Sequence, residues 1–194
     1  MNDEKTFAAF VGDRLIASGD VKKMLRRVKA RFDRDNGASI LIFENDTGKQ
    51  VDFDLRGSLD DVLARLPDHP LFAAAKAPSG PGRPKLGVVS REVSLLPRHW
   101  EWLEQQPNGI SAALRKLVDE ARKRDPAAER ARLARDAASR FMTAMAGNLP
   151  DYEEASRAFF ARDAERFDQL ISAWPKDIRA HVLRMAEGWL RTDS

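Results

Sequence analysis

Cysteine is absent from this 194-residue chain, so neither disulfides nor thiolate metal sites can hold it together. No apolar run approaches the roughly 20 residues that a membrane span needs. The N-terminus, MNDEKTFAAF, carries acids where a secretory leader would carry a basic stretch, and its apolar run is too short for one. Histidine is scarce. His69, His99 and His181 lie far apart and have no partner at ligand spacing, which argues against a metal centre. No G-x-S-x-G, P-loop or G-x-G-x-x-G stretch occurs, and no strand directly precedes Gly80, Gly82 and Gly87 to make them a phosphate loop. No internal repeat of solenoid length is visible. These absences point to a cytoplasmic protein, without cofactor or membrane partner.

What is there is ordinary for a folded chain. Apolar residues make up 43% and charged residues 32%, enough for one substantial domain or two small ones. The formal net charge is +3, and its placement says more than its size. Residues 83–124 hold nine basic and five acidic residues, a balance of +4, whereas 1–66 and 67–82 are neutral and 125–194 stand at −1. A polyanion would be drawn to the central stretch.

The fold class expected is α+β. Residues 1–66 read as a ββαββα unit. A hairpin over 6–19 turns at Gly12-Asp13, and Asp20 caps a helix with Val21, Leu25, Val28 and Phe32 inward. Its other face carries Lys22, Lys23, Arg26, Arg27, Lys29 and Arg31, a solvated face before it is a phosphate-contacting one. Asn36-Gly37 ends the helix. Ser39–Phe43 reads as a buried strand, and Asn45–Gly48 as a turn. Val51, Phe53 and Leu55 alternate with Asp52, Asp54 and Arg56 as a fourth strand, its acids facing solvent. Ser58 and Asp61 form a capping box over Val62, Leu63 and Leu66.

Residues 67–84 are rich in Pro, Gly and Ala and read as a linker that ends in a basic arm. Residues 125–194 read as a helical bundle. Leu133, Ala137, Phe141, Ala144 and Met145 face inward on its first helix, and Tyr152, Ala155 and Phe159 on the next, capped by Asp151. Phe167, Leu170, Ile171 and Trp174 form a third stripe, and Ile178, Val182, Met185 and Trp189 a fourth. Glu153 and Arg157 are spaced as an i, i+4 pair. With Glu154 and Asp177 they are the one candidate for a polar pocket, hence for an unrecognised enzyme site in the C-terminal helices.

The central stretch, 85–124, carries the functional reading. Gly82-Arg83-Pro84-Lys85 has the core of a minor-groove hook. Pro fixes an extended backbone, Gly permits close approach, and Arg83 and Lys85 present charge to a narrow groove. Val89, Val93 and Leu95 alternate with Ser90, Glu92 and Ser94, a strand with two faces. Pro97 opens a short helix with Trp100 and Leu103 on one side, and Pro107-Asn108-Gly109 ends it. A second helix follows with Leu114, Leu117, Val118 and Ala121 as its apolar stripe.

This strand-helix-helix order, G-x-S turn included, resembles the ribbon-helix-helix family of DNA-binding proteins. In that family the strand pairs with its twin from a second subunit, and the ribbon enters the major groove. The resemblance implies a homodimer held by Val89, Val93, Leu95, Trp100, Leu103, Leu114, Leu117 and Val118. Ser90, Glu92 and Ser94 would read bases, with Glu92 able to accept from cytosine N4. Gly109, Ile110 and Ser111 would hold a phosphate at a helix start, and Arg98, Arg115 and Lys116 would add phosphate contacts. The chain as a whole also resembles a bacterial family catalogued as domain of unknown function 2239. That likeness lies in GRPKLGVVSREVSLLPRHWEWL, ISAALRKLVDEARK, FMTAMAGNLPDYEEASRAFF and WPKDIRAH, and implies no activity. The leading expectation is a non-enzymatic, homodimeric, DNA-binding regulator. The alternative is an interaction module that dimerises without DNA, and an enzyme ranks third.

Overall fold

A computed structural model of the chain describes residues 5–35, 37, 39–72 and 91–191. Three antiparallel strands form one sheet in the order β2-β1-β3. They are β1, Thr6–Val11; β2, Arg14–Asp20; and β3, Leu41–Glu44. The expected hairpin is present, with Gly12 at φ +56°. The α-helices among the described residues are α1, Val21–Arg34; α2, Leu59–Ala64; α3, Pro97–Glu104; α4, Ile110–Arg124; α5, Pro126–Ala146; α6, Tyr152–Phe160; α7, Ala164–Leu170; and α8, Lys176–Leu190.

Central strand β1 is buried on both faces, since Phe7, Ala8, Ala9 and Phe10 are all inaccessible to water. Ala8 and Phe10 share one parity and enter a core built by α5 to α8. Phe7, of the other parity, meets Phe53 edge-on at 6.0 Å. Phe10 and Phe43 both pack on Phe141 of α5, with centroids 5.4 and 5.0 Å away. Residues 1–65 and 127–194 therefore form one compact unit, and 66–126 form a second, inserted between its two parts. Reading the sequence in segments left open whether its first and last parts dock together; their shared aromatic core joins them.

Local signals read from the sequence account for most helix ends. Asp20 accepts from the Lys23 amide at 2.9 Å, and Ser58 and Asp61 close a reciprocal capping box. In the helical part Phe141, Phe159, Phe167, Ile171, Trp174, Ile178, Val182 and Trp189 are buried as the periodicity predicts. Leu133 and Ala144 depart from that pattern and are exposed, while Ala138 and Met142 are buried in their place. Asp151 stands at the α6 N-cap position with φ +56° and makes no side-chain capping bond.

The fourth strand does not form. Residues 51–56 run beside β3 with one bridge, Phe43 to Gln50, and one amide bond, Val51 to Ile42 at 2.8 Å. Beyond that, side chains take the place of a ladder. Arg65 donates to the carbonyls of Asp54 and Arg56, and Arg56 clasps the Asp54 carboxylate at 2.9 Å through two nitrogens. These bonds, the Arg56 side chain first and then its amide, lower the Asp54 pKa. Lys29 departs from the solvated face expected for the six cations named on α1. It is buried and paired with Asp33, so it is no part of a solvated face.

The turn after β3 is locked onto α5. Gly48 has φ +64°, and a Cβ there would lie 2.0 Å from the Ala137 carbonyl oxygen. Arg140 donates to the Thr47 carbonyl at 2.8 Å. Glu44, nearly buried, accepts from Thr47 at 2.6 Å and pairs with Lys5 at 2.7 Å. Burial pushes the Glu44 pKa up, but these bonds and the charges of Lys5 and Lys49 together hold it below the ordinary value. Gly12, by contrast, has open space where its Cβ would stand. Gly48→Ala is expected to cost at least about 3 kcal/mol, from a left-handed backbone plus a steric clash, and Gly12→Ala only about 1–2 kcal/mol. Urea denaturation of the two variants beside the parent measures the difference.

Candidate nucleic-acid and dimer interface

The inserted unit, 66–126, carries the site that the sequence singles out. Its start is more ordered than a linker. A 3-10 turn spans Leu66–Asp68, Leu66 is buried, and the His69 and Phe72 rings stand 5.8 Å apart. Arg83, Lys85, Val89 and Ser90 lie outside the described residues.

Residues 91–96 belong to no strand among the described residues. Glu92 and Ser94 are exposed, as a reading face requires, but Val93 is 55% exposed as well, and Leu95 is half-buried. The two-faced burial expected for this strand is therefore not present over its described residues, 91–95. A strand of this kind gains a buried face only when another surface covers it.

Leu96 is extended, and Pro97 opens α3 at a position where its missing N–H costs nothing. Leu103 is buried, Trp100 half-buried, and Arg98 and His99 exposed. Trp102 is 49% exposed, a large apolar surface that the Trp100–Leu103 periodicity overlooked. Its sequence signal was the second Trp of W-E-W, displaced from the inward stripe. Asn108 and Gly109 both take positive φ, 75° and 80°, and this reverses the chain into α4. The Gly109 carbonyl accepts from Ala112 and Ala113 at 3.1 Å each, so α4 starts cleanly without a side-chain cap.

Helix α4 has no buried residue. Leu114 is half-buried, Leu117 43% exposed and Val118 55% exposed. At about 100° per residue these three, with Ile110, Ala113 and Ala121, make one continuous apolar stripe. Ser111, Arg115 and Arg122 border it on one side, and Lys116, Glu120 and Lys123 on the other. Lys116 reaches Glu120 at 3.8 Å, an exposed pair of little energetic weight. Arg98 and Arg115 have no ion-pair partner among the described residues.

The other candidates do not converge. Glu154 pairs with Arg157, one turn away, and with Arg166 at 3.7 Å, whereas Glu153 is exposed and takes no part. Asp177 accepts from the Leu15 amide at 2.9 Å and is spent holding β2 to α8. Asp52 and Asp54 are exposed. Among the described residues no group of three or more His, Asp or Glu side chains could hold a metal ion. No described helix is long and apolar enough to cross a membrane.

A family model described as an uncharacterized protein conserved in bacteria, DUF2239, matches residues 6–186. The chain belongs to this family. No curated protein and no solved structure matches it. The matched span runs through both compact units, so the inserted helices are covered by the same family model as the core that flanks them.

His181 is the one buried histidine, packed on the rings of Phe10 at 5.4 Å and Phe141 at 4.5 Å. Burial first, and the Arg184 charge second, lower its pKa to about 4. The unfolded chain therefore binds a proton at a pH where the folded one does not, and stability falls as pH drops from about 6.5 to about 4. About 2 kcal/mol is lost between pH 7 and pH 5 by this route. His181→Leu is expected to remove that part of the pH dependence, read as the parent-minus-variant difference in unfolding free energy at the two pH values.

Proposed function

We propose that the chain is a homodimeric, non-enzymatic DNA-binding protein whose inserted unit both pairs with a second copy and carries the cationic surface. The observation behind this reading is α4, whose apolar stripe is left open to water and bordered by Arg115, Arg122, Lys116 and Lys123. Val93, Leu96 and Trp102 add further exposed apolar surface on the same unit. An apolar area of this kind on a soluble unit is a contact surface in waiting. A second copy is the occupant that the ribbon-helix-helix pattern calls for. It would pair the backbone of 91–95 and bury Val93, Leu117 and Val118 at once. The Gly82–Lys85 arm and the +4 charge of 83–124 supply the attraction for phosphate.

Light scattering is expected to give a dimer for the parent and a monomer for Leu117→Glu/Val118→Glu; a monomeric parent at tens of micromolar would overturn the pairing. In a gel-shift assay binding is expected at about 50 mM salt and to weaken steeply by about 200 mM. Arg83→Ala/Lys85→Ala is expected to weaken it further and to flatten the salt dependence by roughly two contacts. No shift at about 50 mM salt, where phosphate contacts are strongest, would sink the DNA reading. A dimer without any shift would leave the interaction module.

A further inference from the structure

A cleft in the flanking unit has a volume of about 740 Å³, in the range of small-molecule sites. It opens where Thr6 and the β3 turn meet α5 and α8. Those two helices approach closely at small residues; a Cβ on Gly188 would stand 3.4 Å from that of Ala134. Met185 and Leu133 supply apolar lining beside this crossing. Leu133 is 48% exposed where it lines this cleft.

Arg130 and Arg184 line the same cleft. Arg184 is the informative one. Its guanidinium is hydrogen-bonded to Nδ1 of buried His181 and has no carboxylate partner among the described residues. Two acids also line the cleft: Glu187, which is paired with Arg191 at 2.5 Å, and Asp46 on the turn after β3. An arginine held from behind by a neutral acceptor, over an apolar floor, suits a ligand with a flat hydrocarbon body and one anionic group.

We propose that this cleft binds a small amphipathic anion, an organic carboxylate, sulfonate or phosphate, with its charge on Arg184 and its body against Leu133 and Met185. The proposal is independent of the DNA-binding reading. It can be tested on the full chain with isotope-labelled methionine methyl groups, titrated with anilinonaphthalene sulfonate as the probe. Phenylnaphthylamine, the same ring system without charge, serves as control, and Met185→Leu assigns the reporting signal. The Met185 signal is expected to shift and saturate while that of buried Met24 stays in place. Arg184→Gln, which removes a charge-assisted contact, and Leu133→Glu, which replaces apolar lining with a carboxylate that repels the anion, are each expected to weaken the probe about tenfold, with the melting temperature little changed. The neutral control is expected to bind at least about tenfold more weakly than the probe. A Met185 signal that does not move while the probe binds, as binding to the α4 stripe would give, overturns the proposal. So does an Arg184→Gln variant or a neutral control that binds as tightly.

Discussion

The contact of Phe10 and Phe43 with Phe141 is the constraint on which the main body depends. A three-stranded sheet with α1 alone cannot bury a central strand on both sides, and β1 carries apolar residues at four successive positions. The second side is covered only because α5 and α8 arrive from the other end of the chain. Their arrival encloses about 60 residues between Arg65 and Ala127. Closing a loop of that length costs only slightly more than closing one half as long, because the entropy grows with the logarithm of length. A whole unit can therefore sit inside another without undoing it.

Polar groups finish what the aromatic core begins. Asp177 supplies an acceptor for the Leu15 amide on edge strand β2, and Arg140 a donor for the Thr47 carbonyl. Trp174 and Trp189 donate their indole N–H groups to the carbonyls of Pro150 and Phe159 at 2.8 Å each. Buried backbone groups need such partners wherever regular structure stops. His181 fits the same logic from the opposite side. It is accommodated as a neutral ring between two phenylalanines, which makes it a source of acid sensitivity and a backstop for Arg184.

The two units divide the surface chemistry. The main body buries most of its large apolar residues, leaving Leu133 and Phe160 exposed, and the cleft that Leu133 lines has a charged rim. The inserted unit does the reverse: Leu103 is buried, but on α4 no residue is, Ile110, Ala113 and Leu114 being half-buried and Leu117, Val118 and Ala121 exposed. A helix so arranged finds its stability in tertiary or quaternary packing, since isolated helices of this length are marginal in water. The proposed pairing of two copies answers that physical need, and the proposed charge contacts explain why the borders are basic.

Periodicity and caps determined the elements from the sequence alone. The hairpin at Gly12, the Asp20 cap, the Ser58–Asp61 box, the Pro97 start and the stripes of α6 to α8 depend on neighbours a few residues away, and such neighbours leave a readable mark. The fourth strand misled because Val51, Phe53 and Leu55 alternate correctly, while only the Val51 amide bonds to β3 and the carbonyls of Asp54 and Arg56 are taken by the Arg65 side chain rather than by another strand. Leu133 and Trp102 were misplaced or overlooked because spacing records a face, not what lies against it. Only the tertiary structure decided that the first and last thirds of the chain share one core, that Gly48 is fixed by the α5 backbone, and that Arg184 stands over a cleft with His181 behind it. Contacts between residues far apart in the chain depend on complementary shape and charge, and no local pattern along the chain encodes which distant face will meet which.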